Sequence, residues 1–228
     1  MSVIAKFQSR QNAPLPAGWD TLFSALLSDA MDAIGVRDQA MTPRMRPLDE
    51  TLILCGRART GQYVEVDGVE AGANPYELEI AIVDDLKPGD VAVFSCDGSD
   101  QIAPWGGLLS TATRARGAAG CVTDGFVRDI LEIRSIKLPV FHAGIAPLDS
   151  KGRGHIIATD VPVLCDGVKV SSGDLVFGDA DGVVVVPQAV EAEVLAVAFE
   201  KLKGEHHSIR ELRSGAYLRD VYAKYGVL

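Results

Sequence analysis

The chain has 228 residues, 47% of them hydrophobic and 23% charged, with 23 Gly and 11 Pro. That is enough apolar material for a substantial core, and it excludes disorder, collagen and a disulfide-held mini-scaffold. Lys plus Arg is 22 against 31 Asp plus Glu, a net charge of −9, which argues against a nucleic-acid partner because phosphates are met by a basic face.

No window holds the ~18 consecutive apolar residues of a membrane span. The opening MSVIAKFQSRQNAPLP also lacks the compact apolar stretch of a signal peptide. Cys55, Cys96, Cys121 and Cys165 are far apart and form no C-x-x-C pair. A reduced, cytoplasmic protein with no membrane partner is the expectation.

Residues 1–18 form an extended, Pro-containing leader, followed by TLFSALLSDAMDAIG, whose apolar residues recur at helical spacing up to Gly35. Thr51 to Val66 is β-like, with Arg57 and Arg59 alternating against apolar neighbours. NPYELEIAIVDDL is expected to be a helix capped by Asn74, with Pro75 in its first position. A strand over Asp90–Ser95 leads to a helix, GGLLSTATRARG, and then to a short strand, AGCVT. Asp124-Gly125 is expected to open a further helix, FVRDILEIRS, before the strand PVFHAG. This β-α-β-α-β order predicts parallel strands with right-handed crossovers. Residues 155–187 are β-rich, with turns at Asp166-Gly167, Ser172-Gly173-Asp174 and Asp181-Gly182. A helical region starts at Gln188, with a break or bend expected at Gly204. No linker interrupts the chain, so a single α/β domain is expected.

Ligands of an open parallel sheet bind at the carboxyl ends of its strands, where helix N-termini collect. Two such junctions stand out. In Pro104-Trp105-Gly106-Gly107-Leu108-Leu109, glycines uncover the backbone, and the free N–H groups of the following turn suit a carboxylate. A tight loop without a ligand explains the same residues. In Asp124-Gly125-Phe126-Val127-Arg128-Asp129, a helix beginning at Phe126 puts Arg128 and Asp129 in its first turn. There Asp129 suits a hard cation such as Mg²⁺, and Arg128 suits a carboxylate or a developing enolate. An acid that matches the helix dipole and an arginine that snorkels are the structural alternatives. Side by side, the junctions describe a site for an α-keto acid.

The remaining polar residues have plainer readings. His142 is expected to be structural, and His206 and His207 to be solvated or at an interface. Asp179 and Asp181 should serve their turn, Asp97 and Asp100 a loop. Arg114 and Arg116 should face solvent or another subunit.

The segment WGGLLSTATRARGAAGCVTDGFVRDILEIRSIKLPVFHAG resembles the RraA-like proteins. These include class II pyruvate aldolases acting on 4-hydroxy-4-methyl-2-oxoglutarate and 4-carboxy-4-hydroxy-2-oxoadipate. The likeness continues through VPVLCDGVKVSSGDLVFGDADGVVVVP and EKLKGEHHSIRELRSG, and more faintly to SDAMDAIG. It implies a single-domain β/β/α fold over residues 1–228, like a swivelling phosphohistidine domain, assembled as a homotrimer or hexamer with sites between subunits. It also implies that residues 188–228 lie at the subunit interface. By the same resemblance, Asp129 holds Mg²⁺ or Mn²⁺, Arg128 holds the pyruvyl portion of an oxo-acid substrate, and the N–H groups of Leu108 and Leu109 receive its carboxylate. Glu205, more than Glu200, matches a glutamate that a neighbouring subunit lends to order metal-bound water.

An acidic residue of the aldolases is Gly107 here, so oxaloacetate decarboxylation, which needs no hydroxyl deprotonation, is the activity expected to survive best. Other relatives inhibit a ribonuclease without catalysing a reaction. The presence of Arg128 and Asp129 favours the metal-dependent lyase. A methyltransferase reading finds no G-x-G-x-x-G after a strand.

Overall fold

The structure is a computed structural model and describes residues 13–226. Residues 1–12 of the leader and residues 227–228 lie outside the described part. The central sheet contains β1 (Arg46–Pro47), β2 (Leu54–Glu65), β3 (Asp90–Ser95), β4 (Gly120–Val127), β5 (Val140–Ile145), β6 (Gly154–Thr159), β9 (Leu175–Gly178) and β10 (Val183–Val186). Its order is β1-β5-β4-β3-β2-β9-β10, and the long strand β2 also pairs with β6. β2, β3, β4 and β5 run parallel, as the alternation of strands and helices predicts. The segment from Ala40, bridged to Val184 on β10, to β1, paired with β5, connects the two edges. The sheet is therefore nearly closed, and few unpaired edge groups remain. A separate hairpin, β7 (Val163–Cys165) and β8 (Val168–Val170), turns at Asp166-Gly167.

Both faces of the parallel strands are buried, which is why they read as continuous apolar runs. Ala92 and Phe94 of β3 pack with Trp105, Ile82 and Ile133 on the side of three helices, α2 (Glu77–Asp85), α3 (Gly107–Ala115) and α4 (Ile130–Ile136). Val91 and Val93, pointing the other way, meet Val163, Val168 and Phe141 beside the β7–β8 hairpin. A third core joins β9 and β10 to α1 (Ser24–Ala33) and α5 (Glu191–Arg213). A last helix, α6 (Leu218–Tyr225), packs on α5.

Buried Arg57 fastens several of these parts together. It makes a bidentate pair with Glu191 at the start of α5 (2.5 and 2.9 Å) and donates to the carbonyls of Ala13 and Pro14 in the leader. Arg59, equally buried, grips Asp160 and Asp85. The four cysteines are free and buried. No helix among the described residues is long and apolar enough to cross a membrane.

Five expectations need correction. β4 does not end at Thr123 but runs to Val127, and Asp124-Gly125 lie within it at a register shift. The helix after it consequently starts at Ile130, not Phe126. Asn74 does not cap a helix. Its Oδ1 accepts from the Tyr76 N–H in a local turn, and α2 begins at Glu77. The helix α5 passes unbroken through Gly204, since its burial against α1 outweighs the modest helix penalty of one glycine. Arg116 is not left to solvent: it donates to the Val83 carbonyl and pairs with Asp84, tying α3 to α2.

Candidate active site

The loop before α3 and the end of β4 are brought together by backbone pairing. Phe126 N–H donates to the Ile102 carbonyl and Arg128 N–H to that of Trp105, both at 3.0 Å. The loop can lie this close because residue 125 is glycine: a Cβ there would stand 2.8 Å from Cys96 Sγ and 2.9 Å from Pro104. Buried Trp105 anchors the loop by edge contact with Phe94 and by a 2.7 Å bond from its indole N–H to Ser110 Oγ. Gly106-Gly107 are thereby set beside Arg128-Asp129.

Asp129 is not in a first helical turn. It is the residue before α4, with φ 59° and ψ 39°, a left-handed conformation that Asp tolerates better than most residues. Its Oδ2 accepts the Gly107 N–H at 3.0 Å. Its Oδ1 makes no hydrogen bond among the described residues, and the side chain is exposed. The N–H groups of Leu108 and Leu109, the next in α3, are likewise without a partner among the described residues.

These groups border a cavity of about 330 Å³, whose lining includes Gly106, Leu108, Leu109, Arg128, Asp129 and Glu79. The volume suits a small ligand. Arg128 reaches Asp149 Oδ1 at 3.4 Å, and the Tyr76 hydroxyl donates to Asp149 Oδ2 at 2.8 Å. Burial alone would raise the Asp149 carboxyl, but the bonds from Tyr76 and the Lys151 N–H, with the Arg128 charge, hold it below the usual range. Burial and Asp149 push the Tyr76 phenol up to about 12, so it remains a donor. Glu79 is buried and pushed up to about 7 by desolvation, against the lowering effect of its bonds from Tyr63 and Ser150.

Glu205 is not at this cavity. It is half-buried on α5, on the side of the sheet where α1 packs. Glu200 is exposed and pairs with Lys203. Gly107 opens α3, and a Cβ there would press on Glu132 of α4 at 3.1 Å and on Asp129 at 3.3 Å. His142 is buried away from the cavity, and burial lowers it to about 4. His206 and His207 are exposed, the latter bonded through Nδ1 to the Lys203 carbonyl and stacked on Tyr225. Asp179 does accept the Asp181 N–H in its turn, and it also binds Ser24 at the start of α1.

Glu79, Asp149, Tyr76 and Ser150 are site residues that the motifs do not announce. Glu79 had a signal: it shares the i, i+3, i+4 stripe of α2 with Ile82 and Val83, both buried, so a carboxyl interrupts an apolar face. Asp149 lies in a loop with no periodicity to mark it.

The donor set fits a hydrated hard cation. Among the described residues no three His, Cys, Asp or Glu side chains gather around a point that could cage an ion. Asp129 offers one uncommitted oxygen, the coordination Mg²⁺ accepts when water and ligand oxygens complete its shell.

The RraA-like family model, described as Aldolase/RraA, matches residues 24–185. The chain belongs to the RraA-like family. A Halalkalibacterium halodurans protein named "Putative 4-hydroxy-4-methyl-2-oxoglutarate aldolase" is 34% identical over 183 residues, covering 79% of this chain and 80% of that one. Streptomyces coelicolor RraAS2, described as an unusual member of the RNase ES inhibitor RraA protein family, superposes with a TM-score of 0.79 at 30% identity, covering 89% of this chain and all of that one. An uncharacterized Pseudomonas syringae protein gives a TM-score of 0.77 at 30% identity, over 89% and 94% of the two chains. The fold is thus the mixed α/β, RraA-like fold that the sequence resemblance implies.

Proposed function

We propose that this RraA-like protein is a divalent-metal-dependent carbon–carbon lyase for pyruvyl-containing oxo-acids. It would cleave 4-hydroxy-2-oxo acids, decarboxylate oxaloacetate, or do both. The observation that carries this reading is the meeting of Asp129 Oδ1, the open N–H groups of Leu108 and Leu109, and Arg128 at one small cavity. The charge balance supports a dication. Arg128 is engaged with Asp149, so Asp129 would repel an oxo-acid anion unless a cation lay between them.

Asp129 is the residue that would hold Mg²⁺ or Mn²⁺. When bound, the ion supplies Lewis-acid polarisation of the 2-keto oxygen. The α3 N-terminus receives the substrate carboxylate through the Leu108 and Leu109 N–H groups, with the helix dipole aligned to favour it. Arg128 stabilises charge where the enolate develops. Gly106 and Gly107 leave the backbone bare so that the substrate can approach. Glu205 would reach the site of a neighbouring subunit, with residues 188–228 at the interface of a homotrimer or hexamer. Leu108 and Leu131, 87% and 84% exposed on α3 and α4, support a covering subunit.

The test is pyruvate release from oxaloacetate and from 4-hydroxy-4-methyl-2-oxoglutarate with Mg²⁺ or Mn²⁺. EDTA and Asp129→Ala should each abolish it; release unaffected by both refutes the proposal. Similarity to RraAS2 favours a second reading, ribonuclease inhibition. Inhibition of a ribonuclease E-type enzyme by the Asp129→Ala protein, with no pyruvate release by the unmodified one, would select it.

A further inference from the structure

Gly107 brings no side chain to the start of α3, yet the cavity holds a buried carboxyl from a different direction. Glu79 rises from α2 and lines the cavity together with Arg128 and Asp129. Its Oε2 accepts from the Tyr63 hydroxyl and from Ser150 Oγ. Its Oε1 has no hydrogen bond among the described residues and is not sealed from the cavity. One oxygen is therefore fixed by the protein while the other is available to a ligand.

Resting on the lyase reading above, we propose that Glu79 is the general acid–base that carries the proton between substrate and enolate. In cleavage of a 4-hydroxy-2-oxo acid, its carboxylate takes the C4 hydroxyl proton as the C3–C4 bond breaks, and that bond's electron pair passes into the C2–C3 enolate. The same proton then goes to C3, so pyruvate and the carbonyl fragment form with no net proton change. In oxaloacetate decarboxylation, the bond lost is C3–C4 to CO₂, and the proton that Glu79 hands to C3 comes from water.

The surroundings suit both directions of transfer. Acting on Glu79 are Tyr63 from β2, Cys96 just after β3, Arg128 after β4, Asp149 and Ser150 from the loop before β6, and Tyr76 on its own N-terminal side, while Asp129 lines the same cavity. Burial keeps Tyr63 and Cys96 protonated, Tyr76 donates to Asp149, and Arg128 reaches the same carboxylate with one nitrogen at 3.4 Å. Desolvation places Glu79 at about 7, so both protonation states are populated at neutral pH.

The test isolates the proton step. With Mg²⁺ or Mn²⁺ in D₂O, the protein should exchange the methyl protons of pyruvate, at a rate rising with pH through an inflection near 7. Glu79→Gln should lose roughly 100-fold in exchange, together with the inflection, while binding oxalate as the unmodified protein does. Tyr63→Phe removes a bond that stabilises the carboxylate, so its inflection should move to higher pH; this variant decides the matter if Glu79→Gln does not fold. In the metal-free protein, ¹³C NMR should show one glutamate carboxyl titrating near 7, absent in Glu79→Gln. Exchange that survives Glu79→Gln but not Asp129→Ala, or an inflection unmoved by Tyr63→Phe, overturns the role of Glu79 alone. Absence of both exchange and oxalate binding in the unmodified protein overturns the lyase reading itself.

Discussion

A Cβ added at Gly106 would lie 2.8 Å from Asp129 Oδ2 and 3.3 Å from Arg128 Nε. Arg128 Cγ at 3.2 Å crowds it further, so Gly106→Ala should displace the Asp129 carboxylate proposed to hold the cation and strain its bond from the Gly107 N–H. Mn²⁺ affinity should fall roughly 10–100-fold, as when support around a metal ligand is lost, and titration followed by electron paramagnetic resonance would read it. Two buried titratable groups oppose one another. Glu79 rises from 4.5 to about 7, so its contribution to stability is present below 4.5 and lost as pH rises through 7. His142 falls from 6.5 to about 4, so its contribution is present above 6.5 and lost as pH falls through 4. Each slope approaches about 1.4 kcal/mol per pH unit, and the two are opposite in sign. Between pH 4.5 and 6.5 they offset each other. Glu79→Gln should leave stability rising with pH across that window, and His142→Gln should leave it falling. Urea unfolding at both ends of the window checks this, and parallel profiles for the two variants would refute it.

Among the elements, α1 depends on a residue far away in sequence. Its N-cap position is Phe23, which has no side chain able to cap, and both oxygens of Asp179, in the β9–β10 turn, instead accept from Ser24 N–H and Oγ at 2.7 Å. Asp179→Ala should cost about 1 kcal/mol, the usual worth of a cap, measured by urea unfolding against the unmodified protein. An unchanged midpoint would mean that water replaces the carboxylate at no cost. The same scale explains what was legible in the sequence. β3 and the turns at Asp166-Gly167 and Asp181-Gly182 carry local signals, an apolar run and Asp-Gly pairs, and lie where those signals put them. The extension of β4 to Val127 had none: Asp124 resembles a turn residue, but it is buried there as an acceptor for the N–H groups of Cys96, Gly98 and Asp166. Three long-range donors overrode a local propensity, and this moved Arg128 and Asp129 out of the helix.

Across the whole molecule, the parallel strands gather their carboxyl ends at one rim, and the candidate cavity lies there between α2, the start of α3, Arg128-Asp129 after β4 and the loop before β6. Exposed Leu108 and Leu131 on this rim lead to a prediction about assembly. Leu131→Asp should convert a trimer or hexamer to monomer in sedimentation and reduce pyruvate release in parallel. A monomeric unmodified protein that remains fully active would contradict the shared site. The proton carrier proposed above belongs to the same scale, because its elements meet only in the folded chain.

The amino-acid order alone determined the alternation of strands and helices, the family resemblance and the two glycine- and Arg-Asp-bearing junctions. These rest on periodicity, turn chemistry and short motifs, which are properties of neighbouring residues. Only the tertiary structure decided that Asp129 stands in a left-handed bend with one oxygen tied to Gly107, that Asp149 restrains Arg128, and that Glu79 lies desolvated at the cavity wall. Those outcomes depend on burial and on hydrogen bonds between residues distant in the chain.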